Sequence, residues 1–432
     1  MASPNLKIAR TPVEDALIEA FRTQAGTGEA KGWASEMRAS AAESFAALGL
    51  PHRRMETWKW TDVRQSLQDI LPLAQPAEAT PAALADIDGY KAVFVNGHFV
   101  ADQSLMPGGV EVARVSELLN GEREGLAGRI GELGEVGEES PMALNTAFMT
   151  DGVVLRVPAG TKLDRTLHIA HRFTGEAAAV YARNVIVLED GAEAEVAESF
   201  EGEGGYAANH VTEAHVGDNA TLHHRTLQDE GTEAVHLNAL LVSLGAHAVL
   251  NHFVLHVGAR LARHQIGVRI AGEHAELNLS GASLLRGRQH ADVSLVVEHG
   301  APHGTSRETF ATVLEDRSRG VFQGKIIVPP KSQKTDGEMM SRALFLSDEA
   351  EFDAKPELEI FADDVLCAHG ATAGQIDPDH LFYLMARGIS RKDAESLLVA
   401  GFIEEAVSAI ETEDLHDAFS TRAQAWLAER RS

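Results

Sequence analysis

The chain has 432 residues, of which 44% are hydrophobic and 24% are charged. This composition is ordinary for a soluble globular protein and is sufficient for a sizeable core. The formal net charge of −26 argues against nucleic acid and against an anionic membrane as partners, because neither attracts a strongly negative protein.

Cysteine content and hydropathy indicate the compartment. Cys367 is the single cysteine, which excludes an intramolecular disulfide framework and fits a reducing environment. The first residues contain no apolar signal-peptide core, and no run of about 18 apolar residues predicts a membrane-spanning helix. We therefore expect a cytoplasmic protein.

The N-terminal third is predicted to contain two units. Residues 1–85 are expected to form a helical domain, and Thr11-Pro12-Val13-Glu14 has the pattern of a capping box with proline at the first helical position. Residues 86–150 are expected to form a connector of mixed structure. Within it, Asn96-Gly97 between two apolar stretches predicts a β-hairpin with a type I′ turn.

An internal repeat dominates residues 151–378. The pattern Gly-x-x-Ala-x-aliphatic begins at Gly191, Gly217, Gly245 and Gly272, with steps of 26, 28 and 27 residues, and a degraded copy begins at Gly300. A fixed period with strand-like alternation indicates stacked units. The sequence therefore predicts a mainly β protein whose core is a right-handed parallel β-helix, or β-solenoid. A β-sandwich with regular hairpins is the alternative.

Helices are expected on both sides of this core. Residues 379–432 are predicted to form a C-terminal helical domain, with one helix closed by Gly388 and the next running from Ser390 to a stop at Gly401. The open ends of a solenoid must be covered. We expect the flanking helices and the N-terminal hairpin to cover them.

Most of the 20 histidines lie between His168 and His303. Some of them, such as His252 and His256, have the spacing of one strand face, and imidazoles on neighbouring turns are able to bind a metal ion. The alternative is that histidine is tolerated on half-exposed strand faces, and this is the favoured interpretation for each histidine taken alone.

Cys367 and His369 are the candidate site residues. Residues i and i+2 of a strand project to the same face, so a thiolate and an imidazole can reach one iron or zinc ion. Two ligands do not complete a site, and the remaining ligands would have to come from another subunit. A buried, inert cysteine beside a structural histidine is the alternative.

The segment that contains this pair is also where the chain resembles a known family. Residues 355–377 are similar to the signature of the SufB/SufD family, and further similarity lies at 323–328 and 381–389. Residues 56–61 (ETWKWT) resemble the N-terminal motif of the SufD branch, and His369-Gly370-Ala371-Thr372 has the form found in that branch.

The resemblance implies a β-helix core with flanking helical domains and a role as a non-enzymatic scaffold for iron–sulfur cluster assembly. It implies pairing with a SufB-like subunit through the last core strands and binding of a SufC-like ATPase through residues 379–432. Cys367 and His369 would then lie at the subunit interface and contribute to a transient iron–sulfur cluster. A reduced flavin in the complex, and a homodimer of the isolated chain, also follow from the resemblance as expectations.

Two other functions remain open at this point. One is a purely structural subunit that holds its partners and supplies no cluster ligand. The other is a β-helix enzyme acting on polysaccharide, which would need paired carboxylates on neighbouring turns, and the sequence offers no such pattern.

Overall fold

The computed structural model describes residues 10–26, 32–78, 84, 87–121, 124–134 and 140–429. These residues form a parallel β-solenoid of about eight turns with helices at both termini. The predicted fold class is thereby confirmed. The predicted domain boundary between residues 85 and 86 lies outside the described residues.

Each turn of the solenoid contributes one strand to each of two sheets, so from residue 153 onward strands that are consecutive in the chain lie in opposite sheets. The first sheet contains β1 (Gly89–Val95), β2 (His98–Phe99), β5 (Thr166–Phe173), β7 (Glu193–Gly202), β9 (Thr221–Glu230), β11 (Val249–His256), β13 (Glu276–Leu285), β15 (Thr305–Leu314), β17 (Asp336–Phe345) and β19 (Leu366–Gln375). The second contains β3 (Glu111–Arg114), β4 (Val153–Val157), β6 (Ala179–Leu188), β8 (Ala207–Val216), β10 (Val235–Leu244), β12 (Leu261–Ile270), β14 (His290–His299), β16 (Arg319–Val328) and β18 (Glu351–Ile360).

The repeat read from the sequence marks one corner of every turn, just before a strand of the first sheet. Ala220 and Leu222 are fully buried there, as are their equivalents on the following turns. The first copy of the repeat is displaced by two residues, because β7 and β9 pair Ala194 with Leu222 and not with the residue two positions earlier. A shift of two residues keeps every side chain on the same face, so the misalignment left the predicted core unchanged.

The N-terminal elements cover one end of the solenoid and one of its outer faces. The predicted hairpin is confirmed, since β1 and β2 pair antiparallel across Asn96 and Gly97, both of which have positive φ. The hairpin and β3 lie at the starting edges of the two sheets. The described helices of this part are α1 (Pro12–Gly26), α2 (Trp33–Leu48), α3 (Val63–Ser66), α4 (Val115–Leu118) and α5 (Ser140–Phe148).

The predicted capping box at the start of α1 is also confirmed. The backbone amide of Thr11 donates to the Glu14 carboxylate at 2.6 Å, and the Glu14 amide donates to the Thr11 hydroxyl at 3.3 Å. Helices of this part pack on the outer face of the second sheet, where Phe45 and Trp58 share an apolar cluster with Tyr181.

Three helices follow the solenoid, namely α6 (Pro378–Ala386), α7 (Arg391–Val407) and α8 (Glu413–Glu429). The predicted helix stop at Gly401 was wrong, since α7 continues through that residue to Val407. Val399 and Ile403 are buried on either side of it against the outer face of the first sheet. This burial outweighs the cost of about 1 kcal/mol that an interior glycine imposes on a helix.

The far end of the solenoid differs from the expectation that helices would cover it. The described helices lie mainly on the outer faces of the sheets, whereas β18 and β19 are exposed or half-exposed along their whole lengths. Among the described residues, none of the helices is both long and apolar enough to cross a membrane.

Candidate functional site

Cys367 and His369 lie on β19, the last strand of the first sheet. Their positions, two residues apart in an extended strand, place both side chains on one face, about 6.6 Å apart along the chain. The pairing of β19 with β17 sets Cys367 beside Gly337 and His369 beside Met339. The predicted juxtaposition of the two candidate ligands on one strand face is therefore present.

The face in question is the one that points into the solenoid. The parallel register continues the position of His369 backward through six earlier turns, and every residue in that row is buried at 1% exposure or less: Met339, Glu308, Leu279, His252, His224 and Val196. His369 is exposed because no further turn covers it. A residue in an interior row thus becomes accessible at the open end.

The row that contains Cys367 includes a glycine. Gly337 stands between Cys367 and Ser306, and a Cβ atom placed there would lie 3.8 Å from Cys367 Sγ and 3.3 Å from Ser306 Oγ. Cys367 itself is half-buried and packs against the apolar core of the solenoid. The thiol therefore faces inward, and its neighbours Ser306 and Ile326 leave little free space beside Gly337.

The surroundings of the thiol favour its neutral form. Burial raises the pKa of Cys367, a hydrogen bond with the Gly337 backbone lowers it, and the nearby carboxylates of Asp336 and Glu308 raise it further. Metal binding requires the thiolate. A cation that approached this end would therefore have to displace the thiol proton.

Glu308 is a residue that the sequence reasoning missed. It is fully buried two turns below His369, in the same row. Burial raises its pKa to about 8, against smaller opposing effects of Ser306 and Arg307. The signal that would have found it is the period of the solenoid, which places residues 308, 339 and 369 in register.

The two acidic residues just before β19 have different surroundings from Cys367 and His369. Asp363 and Asp364 are exposed at the corner that leads into the strand, and Asp364 forms a salt bridge with Lys334. The Asp364 carboxylate is therefore already paired with the Lys334 ammonium group, and this pairing favours a structural role for Asp364.

The sequence favoured half-exposed strand faces for the histidines of this region, but most of these histidines lie in the interior. Nine of its histidines are buried: His168, His171, His210, His224, His236, His252, His256, His264 and His299. Several stack within the solenoid, for example His224 on His252 with ring centroids 5.1 Å apart. Burial is the main cause that lowers the pKa of His256 to about 3 and of His171 to about 4, so these imidazoles are neutral.

Carboxylates contribute to this interior network. The amide of Asn184 and the hydroxyl of Thr212 donate to Glu198 at 2.8 and 2.7 Å, and His236 lies 3.0 Å from Glu230. Within the part of the chain that the structure describes, no three or more His, Cys, Asp or Glu side chains are grouped to hold a metal ion. Any ion bound by Cys367 and His369 would need ligands from elsewhere, as the sequence predicted.

Apolar side chains surround the open end and part of the C-terminal helices. Ile360, Phe361 and Leu366 are exposed at the end of β18 and the start of β19, with Leu366 at 73%. A second exposed set lies on α6, where Phe382 is exposed at 73% and Tyr383 at 56%. Such grouped apolar exposure is typical of protein–protein contact surfaces.

Comparison with known proteins places the chain in a family. Residues 171–402 match the family model described as "SUF system FeS cluster assembly, SufBD core domain", and residues 14–169 match the "SufBD protein N-terminal region". The chain belongs to the SufBD family. The family that the sequence resembled is thereby confirmed.

Individual relatives agree with this assignment over most of the chain. The iron–sulfur cluster assembly protein SufD of Escherichia coli is 32% identical over 86% of this chain and 88% of its own length. A SufBD family iron–sulfur cluster assembly protein of Synechocystis is 30% identical over 86% of both chains. A chloroplastic protein of Arabidopsis thaliana is 27% identical over 88% of this chain and 83% of its own length.

Proposed function

We propose that this SufBD family protein is a non-catalytic scaffold subunit that pairs with a SufB-like subunit through the open end of its solenoid. Nascent clusters would then form between the two subunits. The observation that carries the proposal is the exposure of His369 at the end of an interior row whose other members are buried. A second solenoid placed there would enclose the histidine and the neighbouring thiol.

The open end has the features that such pairing requires. The outer edges of β18 and β19 carry backbone groups that no further strand of the described chain satisfies, and unpaired strand edges accept strands of another chain. Leu366 and Phe361 add exposed apolar area beside these edges. In the absence of the SufB-like subunit, a second copy of this chain is the expected occupant.

The ligand role follows from donor chemistry. Thiolate sulfur and neutral imidazole nitrogen are both iron ligands in iron–sulfur proteins. Iron and sulfide are the substrates of assembly, and the SufB-like partner would provide the other ligands. A site with mixed ligands divided between two chains can release its cluster when the chains separate, which suits a scaffold.

The C-terminal helices are the proposed contact for a SufC-like ATPase. Phe382 and Tyr383 on α6 are exposed, as is Leu397 on α7. Aromatic anchors of this kind dominate the binding energy of protein interfaces. Since α7 packs against β13 and β15, ATP-driven movement of these helices would be transmitted to the solenoid.

The proposal is tested in a complex reconstituted from this chain, a SufB-like subunit and a SufC-like ATPase. We expect His369→Ala to leave the complex intact and to reduce the cluster yield, measured by visible absorbance and by iron and sulfide content. The control is His52→Ala, which removes a half-exposed histidine of the N-terminal segment and should leave the yield unchanged. A normal yield with His369→Ala would remove this residue from the mechanism.

A purely structural role is the second candidate, and the packing of Cys367 against the apolar core favours it for the thiol. The double variant Cys367→Ser/His369→Ala distinguishes the two functions. An intact complex without clusters supports the ligand role, whereas an intact complex with normal clusters supports the structural role.

The ATPase contact is tested separately. We expect Phe382→Ala/Tyr383→Ala to abolish co-purification of the ATPase while pairing with the SufB-like subunit is retained. Retained ATPase binding would contradict the assignment of this surface.

A further inference from the structure

Three histidines form a stacked ladder on the outside of the solenoid, away from the site described above. His247, His274 and His303 occupy the same corner of three consecutive turns, and all three are exposed. The ring centroids of His247 and His274 are 5.1 Å apart at an interplanar angle of 8°. Those of His274 and His303 are 4.5 Å apart at 15°.

The backbone conformation at this corner does not require a histidine side chain. Each of these histidines has a φ of 56–61°, and each donates its backbone amide to a carbonyl of the next turn. Gly191 and Asn219 occupy the same corner on the preceding turns, with positive φ and the same type of amide–carbonyl bond. Glycine and asparagine are residues that suit this conformation, so the backbone would be equally well served without the three rings.

We propose that the ladder of His247, His274 and His303 is a binding site for one borderline divalent transition-metal ion of the Zn²⁺, Ni²⁺ or Cu²⁺ class. Imidazole is a preferred ligand of these ions. Two imidazoles bound to one ion at metal–nitrogen distances of about 2.0–2.1 Å have ring centroids about 5 Å apart. The observed centroid separations already have this value. Because the rings are stacked with nearly parallel planes, each exposed ring must rotate about its side-chain bonds to aim a nitrogen at the ion.

The spacing of the ladder fixes how it binds. The outer rings lie two turns apart, about 9.5 Å, which is too far for both to reach one ion. The ion therefore lies between His274 and one neighbour, with water completing its coordination. Because both pairs need His274, the ladder holds one ion and not two. The net charge of −26 raises the local concentration of cations around the protein.

Lys334 ends the ladder on the side of the candidate assembly site. It occupies the same corner on the next turn and forms a salt bridge with Asp364. An ammonium group repels a metal ion, so the ladder is separate from Cys367 and His369, and the inference does not rest on the proposed function.

The test is calorimetric titration of the full chain, without an affinity tag, with Ni²⁺ as the probe. The parent carries Cys367→Ser/His369→Asn, so that the candidate assembly site contributes no ligands. We expect one ion per chain, loss of binding in His274→Asn, and a decrease of about twofold in affinity in His247→Asn or His303→Asn, because each removes one of two alternative pairs.

Asparagine preserves the turn, as Asn219 shows on the same corner, so the unfolding midpoint of His274→Asn should equal that of the parent. The double variant His247→Asn/His303→Asn leaves His274 without a neighbour and should also lose binding. His380→Asn is the control for an isolated exposed histidine and should bind normally. Unchanged affinity in His274→Asn, or no binding by the parent, would overturn the proposal and leave the ladder as ring stacking alone.

Discussion

His369 lies directly beside Met339 in the parallel register of β19 and β17, yet Met339 is fully buried and His369 is exposed. One turn of the solenoid separates a core position from a surface position. The exposed histidine therefore lies directly next to a packed core residue, Met339.

The packing of Met339 is predicted to depend on the absence of a side chain at Gly324. A Cβ atom at this position would lie only 2.3 Å from Met339 Sδ. We expect Gly324→Ala to destabilise the protein by about 1–3 kcal/mol, because an overpacked core forces side chains and backbone to shift. Denaturant unfolding measures the change. Gly374→Ala on β19 is the control, since no atom lies within 4 Å of its Cβ, and it should leave stability nearly unchanged.

If the clash with Met339 is the cause, removing that side chain should relieve it. The stability lost in Gly324→Ala and that lost in Met339→Ala should then be non-additive in the double variant. Additive losses would show that Gly324 is required for another reason.

Glu308 is predicted to make stability fall as pH rises. Its pKa in the folded protein is raised to about 8 by burial, above an unfolded value of about 4.3. The unfolded chain therefore releases this proton first, and the folded state loses relative stability between about pH 4.3 and pH 8. We expect Glu308→Gln to gain stability on the order of 4 kcal/mol at pH 8 and almost none at pH 4.5.

The measurement is the free energy of unfolding of both proteins at matched pH values. Glu233→Gln is the control for an exposed glutamate. A difference between wild type and Glu308→Gln that does not vary with pH would show that the carboxyl is not held neutral in the folded state.

The buried histidines are predicted to act in the opposite direction. The pKa of His168 is lowered to about 3 and that of His299 to about 4, with burial as the main cause. An unfolded histidine has a pKa of about 6.5, so the unfolded chain takes up protons first as the solution is acidified. The contribution to stability is complete above about pH 6.5 and is lost as pH falls toward the folded values.

Each such histidine should lower the free energy of unfolding by about 2 kcal/mol as the pH falls from 6.5 to 5. The effect is best measured by urea unfolding in the Glu308→Gln background, where the opposing contribution is absent. We expect His168→Gln to reduce the slope of stability against pH in this range. An unchanged slope would mean that His168 is protonated in the folded protein.

The N-terminal segment is predicted to be fastened to the solenoid by a buried ion pair. Arg263 and Asp292 pair inside the protein, the Arg263 guanidinium lies 3.7 Å over the Trp58 ring, and Thr61 donates to Asp292. Asp292→Ala would leave Arg263 buried without its partner and should destabilise the protein by about 3–5 kcal/mol. Thermal unfolding would show this, and Asp69→Ala, at an exposed position, should change little.

The solenoid could be predicted from the sequence because its core residues recur at a nearly fixed period. Alanine and an aliphatic residue recur at one corner of successive turns, and a shift such as the one at Ala194 does not disturb the inward face. Helix ends were less predictable. Gly401 has the residue type of a helix terminus, but the buried face formed by Val399 and Ile403 carries the helix past it.

The candidate pair was predicted from its two-residue spacing, whereas its surroundings were not. Met339 and Glu308 are about 30 and 60 positions earlier in the chain, and only the three-dimensional register brings them into the row of His369. Trp58 is another example, because the residue that packs on its ring is distant in the sequence. The ring is fully buried, because Arg263 comes from a distant turn to cover it.

The unfinished edge at β19 also affects the newly made protein. This strand contains neither proline nor any charged residue over Leu366–Gln375, so it lacks the devices by which proteins prevent edge strands from recruiting other chains. The edge strand of the other sheet, β18, has both, namely Pro356 and five charged residues. If this edge pairs with a SufB-like subunit as proposed, a cell that makes this chain in excess would accumulate a template for aggregation, and balanced synthesis of the two subunits would protect solubility as well as stoichiometry.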